Sequence, residues 1–337
     1  MIIILKKGSG KSDAEPILQQ IREQGLQPLY MPGEEKIVIG ALGDERILAN
    51  LQLDSIDCVE RVIPILKPYK LANREFKDRR STVQVADVVF GETKIPIIAG
   101  PCSVESEEQI LDVARAVKRS GASMLRGGAY KPRTSPYAFQ GLEDEGLRLL
   151  DVARRETGLP IVTEVLSEHD VDKIAAMTDM FQIGARNMQN FQLLKAVGAT
   201  GVPVLLKRGP AASMCDLLMA AEYVMSADNP NVVLCERGIK SFFSDTRNTL
   251  DLSIVPLLQN ETHLPVIVDP SHGTGVRELI PPMALAAVAA GADGVMIEVH
   301  PDPEHALSDG FQQLTPEAFD ELIAKMRAVA AAIGRSI

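Results

Sequence analysis

After Lys94 the chain alternates short apolar, β-branched runs with amphipathic helical stretches, and it does so eight times. The runs lie at 95–99, 123–126, 161–165, 180–183, 204–207, 232–235, 266–269 and 294–298. The helical patterns lie at 105–119, 143–157, 168–177, 188–197, 212–226, 246–259, 278–290 and 316–333. Runs that are apolar on both faces suit a parallel sheet covered by helices. Eight such units match the size and count of a closed (β/α)8 TIM barrel. An open doubly wound sheet is the alternative. It would carry a glycine-rich dinucleotide turn after its first strand. Here that position reads Ala-Gly-Pro-Cys-Ser (99–103), which is no such fingerprint.

Residues 1–66 form a separate, smaller unit. Strand patterns at 2–6, 27–31, 36–40 and 59–65 alternate with helical ones at 13–24 and 44–52. The order βαββαβ is ferredoxin-like, an α+β domain ahead of the barrel. Ser12 and Glu15 fit a capping box for the first helix, and Gly25 fits its stop. Gly-Ser-Gly-Lys-Ser (8–12) looks like the end of a P-loop, but the first glycine of that motif falls on Leu5. Residues 67–94 read as a charged linker with a short capping hairpin at 83–89, and 95–337 as the catalytic barrel.

A formal net charge of −10 argues against nucleic acid or a membrane surface as a general partner. No run is long enough to span a bilayer, and the first five residues are too short for a signal core. Cys58, Cys102, Cys215 and Cys235 are scattered with no close pair, the usage of a reducing compartment, so the expected location is cytoplasmic. Cys58, Cys215 and Cys235 read as core.

A barrel places its active site at the carboxyl ends of its strands. The second run ends in Arg126, two glycines, and then Lys131, Arg133, Thr134 and Ser135 around Pro132. Glycines allow close backbone approach, and three cations with two hydroxyls suit a phosphate ester. Other run ends supply Glu164, Arg186, Lys207 and Arg237. Taken singly, each of these reads as surface charge. Together, Arg126, Lys131, Arg133, Arg186, Lys207 and Arg237 form a cationic floor for one or two small polyanions. Cys102, His272, Glu298 and Asp309 can form a metal site of one sulfur, one nitrogen and two oxygens. That donor mixture suits Mn2+, Fe2+, Co2+ or Zn2+ better than Ca2+ or Mg2+. Sequence spacing adds nothing to it; only barrel closure would bring the four together.

Six stretches then carry a resemblance: Ala-Gly-Pro-Cys-Ser-Val-Glu-Ser (99–106), Leu-Arg-Gly-Gly-Ala-Tyr-Lys-Pro-Arg-Thr-Ser (125–135), Ile-Gly-Ala-Arg-Asn-Met-Gln-Asn (183–190), Leu-Leu-Lys-Arg-Gly (205–209), Cys-Glu-Arg-Gly (235–238) and Asp-Pro-Ser-His-Gly-Thr-Gly (269–275). They resemble 3-deoxy-D-arabino-heptulosonate 7-phosphate (DAHP) synthases of the short type I beta branch, whose regulated members carry a ferredoxin-like N-terminal domain. A related family, 3-deoxy-D-manno-octulosonate 8-phosphate (KDO8P) synthase, shares the barrel but carries Lys-Ala-Asn-Arg-Ser where this chain has Lys-Pro-Arg-Thr-Ser.

The resemblance implies a divalent-metal-dependent transferase that joins phosphoenolpyruvate to D-erythrose 4-phosphate, the first step of the shikimate pathway. It implies that Arg186, Lys207 and Arg237 hold the phosphoenolpyruvate phosphate, and that Arg126 and Lys131 face its carboxylate. Arg133 and Thr134, with Ser135 nearby, then take the aldose phosphate. Lys131, Cys102 and His272 are the expected catalytic residues. Glu164 and a water on the metal are both candidates to deliver the attacking water. It further implies a homo-oligomer, a tetramer, with tyrosine or phenylalanine as an effector on the N-terminal domain. Two rival readings are a Schiff-base aldolase using Lys131 or Lys207 and a silent phosphosugar sensor.

Overall fold

The computed structural model of the chain describes residues 1–33, 35–44, 47–48, 51–63, 67–132 and 135–337. It divides into two units, Met1–Pro68 and Tyr69–Ile337.

In the first unit, β1 (Ile2–Leu5), α1 (Lys11–Glu23), β2 (Gln27–Pro32), β3 (Ile37–Leu42) and β4 (Val59–Ile63) build a ferredoxin-like layer. The sheet order is β2-β3-β1-β4, antiparallel throughout. Ala14, Ile17, Leu18 and Ile21 recur at helical spacing, so α1 buries one face. That face packs with Ile3, Leu5, Ile37 and Ile39. The helix starts before the expected cap. Gly10 N donates to Asp13 Oδ2 at 2.7 Å, so Asp13 and not Ser12 serves the N-terminus. Glu15 instead pairs with Arg22 at 3.1 Å. Gly25, at φ 77°, follows the helix end in a left-handed conformation. The helix expected at 44–52 falls partly outside the described residues.

The second unit opens with a hairpin, β5 (Val83–Val85) and β6 (Val88–Phe90), followed by eight parallel strands. These are β7 (Ile97–Gly100), β8 (Met124–Arg126), β9 (Ile161–Glu164), β10 (Met180–Ile183), β11 (Val204–Lys207), β12 (Val232–Glu236), β13 (Val266–Val268) and β14 (Val295–Glu298). They close into a barrel in sequential order, with β14 pairing back to β7. The intervening helices are α2 (Glu107–Ser120), α3 (Glu143–Thr157), α4 (Val171–Ala175), α5 (Phe191–Ala199), α6 (Met214–Met225) and α7 (Ile254–Glu261). After β13 come a short α8 (Pro270–Thr274) and α9 (Ile280–Ala289), and after β14 comes α10 (Pro316–Ala332). Strand alternation splits the core in two. Ile97 and Ala99 face the helices. Ile98, Met124, Val162, Met180, Leu205, Val233, Ile267 and Met296 fill the barrel interior together with Val83, Val85, Val88 and Phe90 of the hairpin. The hairpin therefore plugs the amino-terminal end, and the opposite end stays open. Cys235 is core, but Cys58 is half-buried and Cys215 lies exposed on α6, contrary to the sequence reading. No helix among the described residues is long and apolar enough to cross a membrane.

A strap ahead of the hairpin is tied down by one carboxylate. Glu222 Oε1 accepts from Lys70 N and Leu71 N, both at 2.9 Å, and Oε2 accepts from Ala72 N at 3.0 Å. His263 Nε2 donates to Leu71 O at 2.7 Å, leaving Nδ1 to accept from Ser81 Oγ at 2.8 Å. Glu222→Ala is expected to lower stability by about 1–3 kcal/mol, because three backbone donors lose a charged acceptor. Urea unfolding of the variant checks this, and an unchanged midpoint would show that water replaces the carboxylate fully.

Candidate active site

The open end of the barrel holds a cavity of about 480 Å³. Lys131, Arg186, Lys207, Arg237, Lys240 and Arg247 reach its wall, as do Glu164, Gln182, Ser135, Asn248, His272 and Asp309. Each comes from a strand end or the loop after it, so the sheet converts positions distant in sequence into one site. In a chain with ten more acids than bases, so many cations around one cavity select for an anionic ligand.

Two glycines make room for the charged groups. A Cβ on Gly184 would stand 1.9 Å from Glu164 Oε1, so a side chain there would push that carboxylate out of its present position. A Cβ on Gly128 would stand 2.9 Å from Lys131 Nζ and 2.8 Å from Cys102 O. Glu164 accepts from Gln182 Nε2 at 3.2 Å. Lys207 Nζ lies 2.6 Å from Asp269 Oδ2, and both side chains are buried. Burial pushes the Asp269 carboxyl up, but the His272 and Lys207 charges outweigh it and hold the group well below the usual carboxylate range. Burial also pushes the Arg237 guanidinium below its ordinary value, a strain that an anion beside it relieves. Arg208 does not join the cavity wall. It is locked to Glu236 at 3.0 Å and Asp251 at 3.2 Å, bracing the β11 and β12 ends from behind.

Beside the cations is a donor cluster. Cys102 Sγ, a Glu298 oxygen and an Asp309 oxygen lie within 4.8 Å of one another. His272 is adjacent, with Nε2 3.6 Å from Glu298 Oε1. Its Nδ1 is 2.8 Å from Asp269 Oδ2 but lacks hydrogen-bond geometry. Burial pushes His272 below its ordinary value, favouring the neutral ring that ligates metals. Burial, reinforced by Glu298, pushes the Cys102 thiol up to about 11. A buried thiol beside two carboxylates is unfavourable as a thiolate without a cation. The donor chemistry thus fits a borderline divalent ion, with three donors clustered and the fourth alongside.

Arg126 stands behind this cluster and not on the cavity wall. Its Nη1 pairs with Glu298 at 2.7 Å and its Nη2 donates to Cys102 O at 3.2 Å, while its buried Nε has no hydrogen-bond partner. Lys131 Nζ donates to Cys102 O at 2.9 Å and lies 3.2 Å from Cys102 Sγ. Arg133 and Thr134 lie outside the described residues. The sequence reading missed Lys240, which follows the β12 end by four residues, and it missed Arg247 and Asn248 because it placed residue 246 onward in a helix. In the structure α7 begins only at Ile254. The backbone before it bonds elsewhere: Arg247 N donates to Thr274 O at 2.8 Å, Thr249 pairs with Ile239, and Asp251 N donates to Glu236 Oε1 at 3.2 Å. Basic residues ahead of an apolar run, with Gly238 at φ 86°, were the available signal for a loop.

Comparison with known proteins follows the same division of the chain. Residues 73–333 match the model of the DAHP synthetase I family, and residues 1–67 match that of the DAHP synthase ferredoxin-like domain. A phospho-2-dehydro-3-deoxyheptonate aldolase of Thermotoga maritima is 47% identical over 99% of both chains. A crystal structure of the Thermotoga maritima DAHP synthase superposes with a TM-score of 0.96 at 46% identity, covering 99% of this chain and 98% of that one. A 2-dehydro-3-deoxyphosphooctonate aldolase of Bradyrhizobium diazoefficiens is 37% identical, over 73% of this chain and 93% of its own. The chain belongs to the DAHP synthetase I family.

Proposed function

We propose that this chain condenses phosphoenolpyruvate with D-erythrose 4-phosphate and water to give DAHP and inorganic phosphate, with a divalent metal at the Cys102 cluster. The observation that carries this is a cavity whose wall holds six cations together with His272 and Asp309, the latter a member of the adjoining thiol–carboxylate donor set. The full-length likeness to a heptonate aldolase, against a partial likeness to octonate aldolases, favours the four-carbon aldose. KDO8P synthesis is the second reading.

Arg186, Lys207 and Arg237 hold the phosphoenolpyruvate phosphate by charge-assisted bonds. Lys131, with Arg126 behind it, faces the carboxylate. Arg133, Thr134 and Ser135 take the aldose phosphate. Cys102, His272, Glu298 and Asp309 hold the metal, which when bound supplies Lewis-acid polarisation of the aldehyde. Clamping two anions side by side cancels their repulsion and fixes the enol carbon against the aldehyde carbon, a large part of the barrier. A carbon–carbon bond forms there, and the aldehyde oxygen takes a proton. Water then adds at the carbon bearing the phosphate, and the carbon–oxygen bond breaks to release inorganic phosphate. Glu164 takes the proton from that water; its support is a carboxylate at the cavity wall beside Gly184.

Arg133→Ala is expected to raise the KM for the aldose phosphate by roughly tenfold to a hundredfold and to leave that for phosphoenolpyruvate near its native value. Steady-state kinetics with each substrate varied in turn checks this. A rise confined to phosphoenolpyruvate would reverse the assignment of the two anions.

Residues 1–66 serve as the feedback domain, with tyrosine or phenylalanine as effector, in a homotetramer. The support is the match to the ferredoxin-like domain model and the placement of every described site residue after Lys94. A ligand inhibits there only if it favours an inactive arrangement over the active one. A chain beginning at Lys67 keeps the strap that Glu222 holds. It should turn over and ignore both amino acids, while the full chain is inhibited. Inhibition of the shortened chain would put the effector on the barrel.

A further inference from the structure

Gln312 lies in the loop between β14 and α10, with no exposed surface. Three charged side chains converge on its carboxamide. Arg247 Nη1 lies 2.6 Å from Gln312 Oε1. Gln312 Nε2 lies 2.5 Å from Glu298 Oε2 and 3.5 Å from Asp309 Oδ2. A guanidinium can only donate and an ionised carboxylate can only accept, so one orientation of the amide satisfies all three contacts. With the cation on its oxygen, the amide is polarised into a stronger donor toward the carboxylates.

The two carboxylates it meets are candidate metal ligands, and both need fixing. Glu298 Oε2 takes the Gln312 bond, which turns Oε1 toward Arg126 at 2.7 Å and His272 Nε2 at 3.6 Å. Asp309 sits at φ 47° and ψ 33°, a left-handed conformation that costs free energy for a residue with a side chain. A neutral amide is the one type of side chain that bridges a cation and two carboxylates without changing the charge of the site. A third carboxylate there would repel the pair, and an apolar group would satisfy none of the three.

We infer that Gln312, oriented by Arg247, is a positioning residue that holds Glu298 and Asp309 in ligating geometry, so that metal affinity depends on an arginine at the cavity wall. The inference rests on the metal reading of this site. Its test is direct titration of metal-free protein with Co2+, following the thiolate charge-transfer absorption and competition with a chromophoric chelator. Circular dichroism on the same samples monitors folding. In Gln312→Met the Co2+ dissociation constant should rise about tenfold to a hundredfold. In Arg247→Met it should rise by less, in the same direction. Arg247 also reaches Asp309 directly, with Nη1 3.5 Å from Oδ2, so the double variant should bind somewhat more weakly than Gln312→Met but by less than the product of the two single effects. Native Co2+ affinity and spectrum in both single variants would overturn the inference. If Gln312→Met does not fold, Gln312→Asn, which keeps the amide but shortens its reach, decides: a native constant refutes the positioning role, and a raised one supports it. Native protein that binds no Co2+ would instead overturn the metal reading itself.

Discussion

Lys207→Met is expected to lower kcat/KM by about two to three orders of magnitude and to destabilise the barrel by about 3–5 kcal/mol. The two losses have different origins. The expected catalytic loss follows from the role proposed for Lys207 at the phosphate of phosphoenolpyruvate. The stability loss comes from Asp269, which keeps a fully buried carboxylate after its partner at 2.6 Å is gone. A second substitution separates them. Lys207→Met with Asp269→Asn removes the orphaned charge and should recover much of the stability, but none of the activity. The pH dependence has a definite sign. Asp269 is held below its ordinary value in the native fold, so its contribution is full above the unfolded carboxyl range and is lost as pH falls through the native value. The stability gap between native protein and the single variant should therefore narrow in acid. Urea midpoints across pH, with kcat/KM on the same samples, check each point. A single variant with native kcat/KM would remove Lys207 from the phosphate site.

Stripping divalent metal is expected to take turnover to background, and Mn2+, Fe2+, Co2+ or Zn2+ to restore it. The proton balance makes this more specific than loss of activity. Burial holds the Cys102 thiol at about 11, so it is protonated across the neutral range in the metal-free protein. Burial pushes His272 down, so its ring is already neutral above its lowered value. Burial pushes Glu298 up, but the charges of His272, when protonated, and of Arg126 outweigh it, so the carboxyl lies below its ordinary value and is already ionised. Metal binding then displaces one proton, from Cys102, and affinity should rise about tenfold per pH unit between about pH 7 and 9. Cys102→Ala should lose both that slope and most of the affinity. Full turnover by Cys102→Ala protein shown to be metal-free would sink the ligand assignment.

The barrel was legible because a parallel strand covered by helices is apolar on both faces. Its eight runs stand out against the charged residues between them, and charges placed just after them fall together at one rim. Glu164, Arg186, Lys207, Arg237 and His272 were legible for that reason. Arg126 was not, because strand position alone does not say whether a cation faces the cavity or a neighbouring carboxylate, and here Glu298 claims it. Gln312 and Glu222 carried no signal at all. One is an uncharged residue in a loop and the other a common helix-surface acid. Each meets a partner far along the chain, Arg247 at 65 residues from Gln312 and Lys70 at 152 from Glu222. The first helix start was misplaced because its N-cap is Gly10, which has no capping side chain, and the N-terminal bond comes from Asp13 three residues on.

Inorganic phosphate release with phosphoenolpyruvate and each of two aldose phosphates, with and without a chelator, tests the proposed reaction most directly. With erythrose 4-phosphate and metal, the account predicts phosphate release matched mole for mole by product. Arabinose 5-phosphate should be used with a kcat/KM lower by about a hundredfold, and chelated protein should be silent with both. Equal or faster use of arabinose 5-phosphate, or full turnover in chelator, would contradict it.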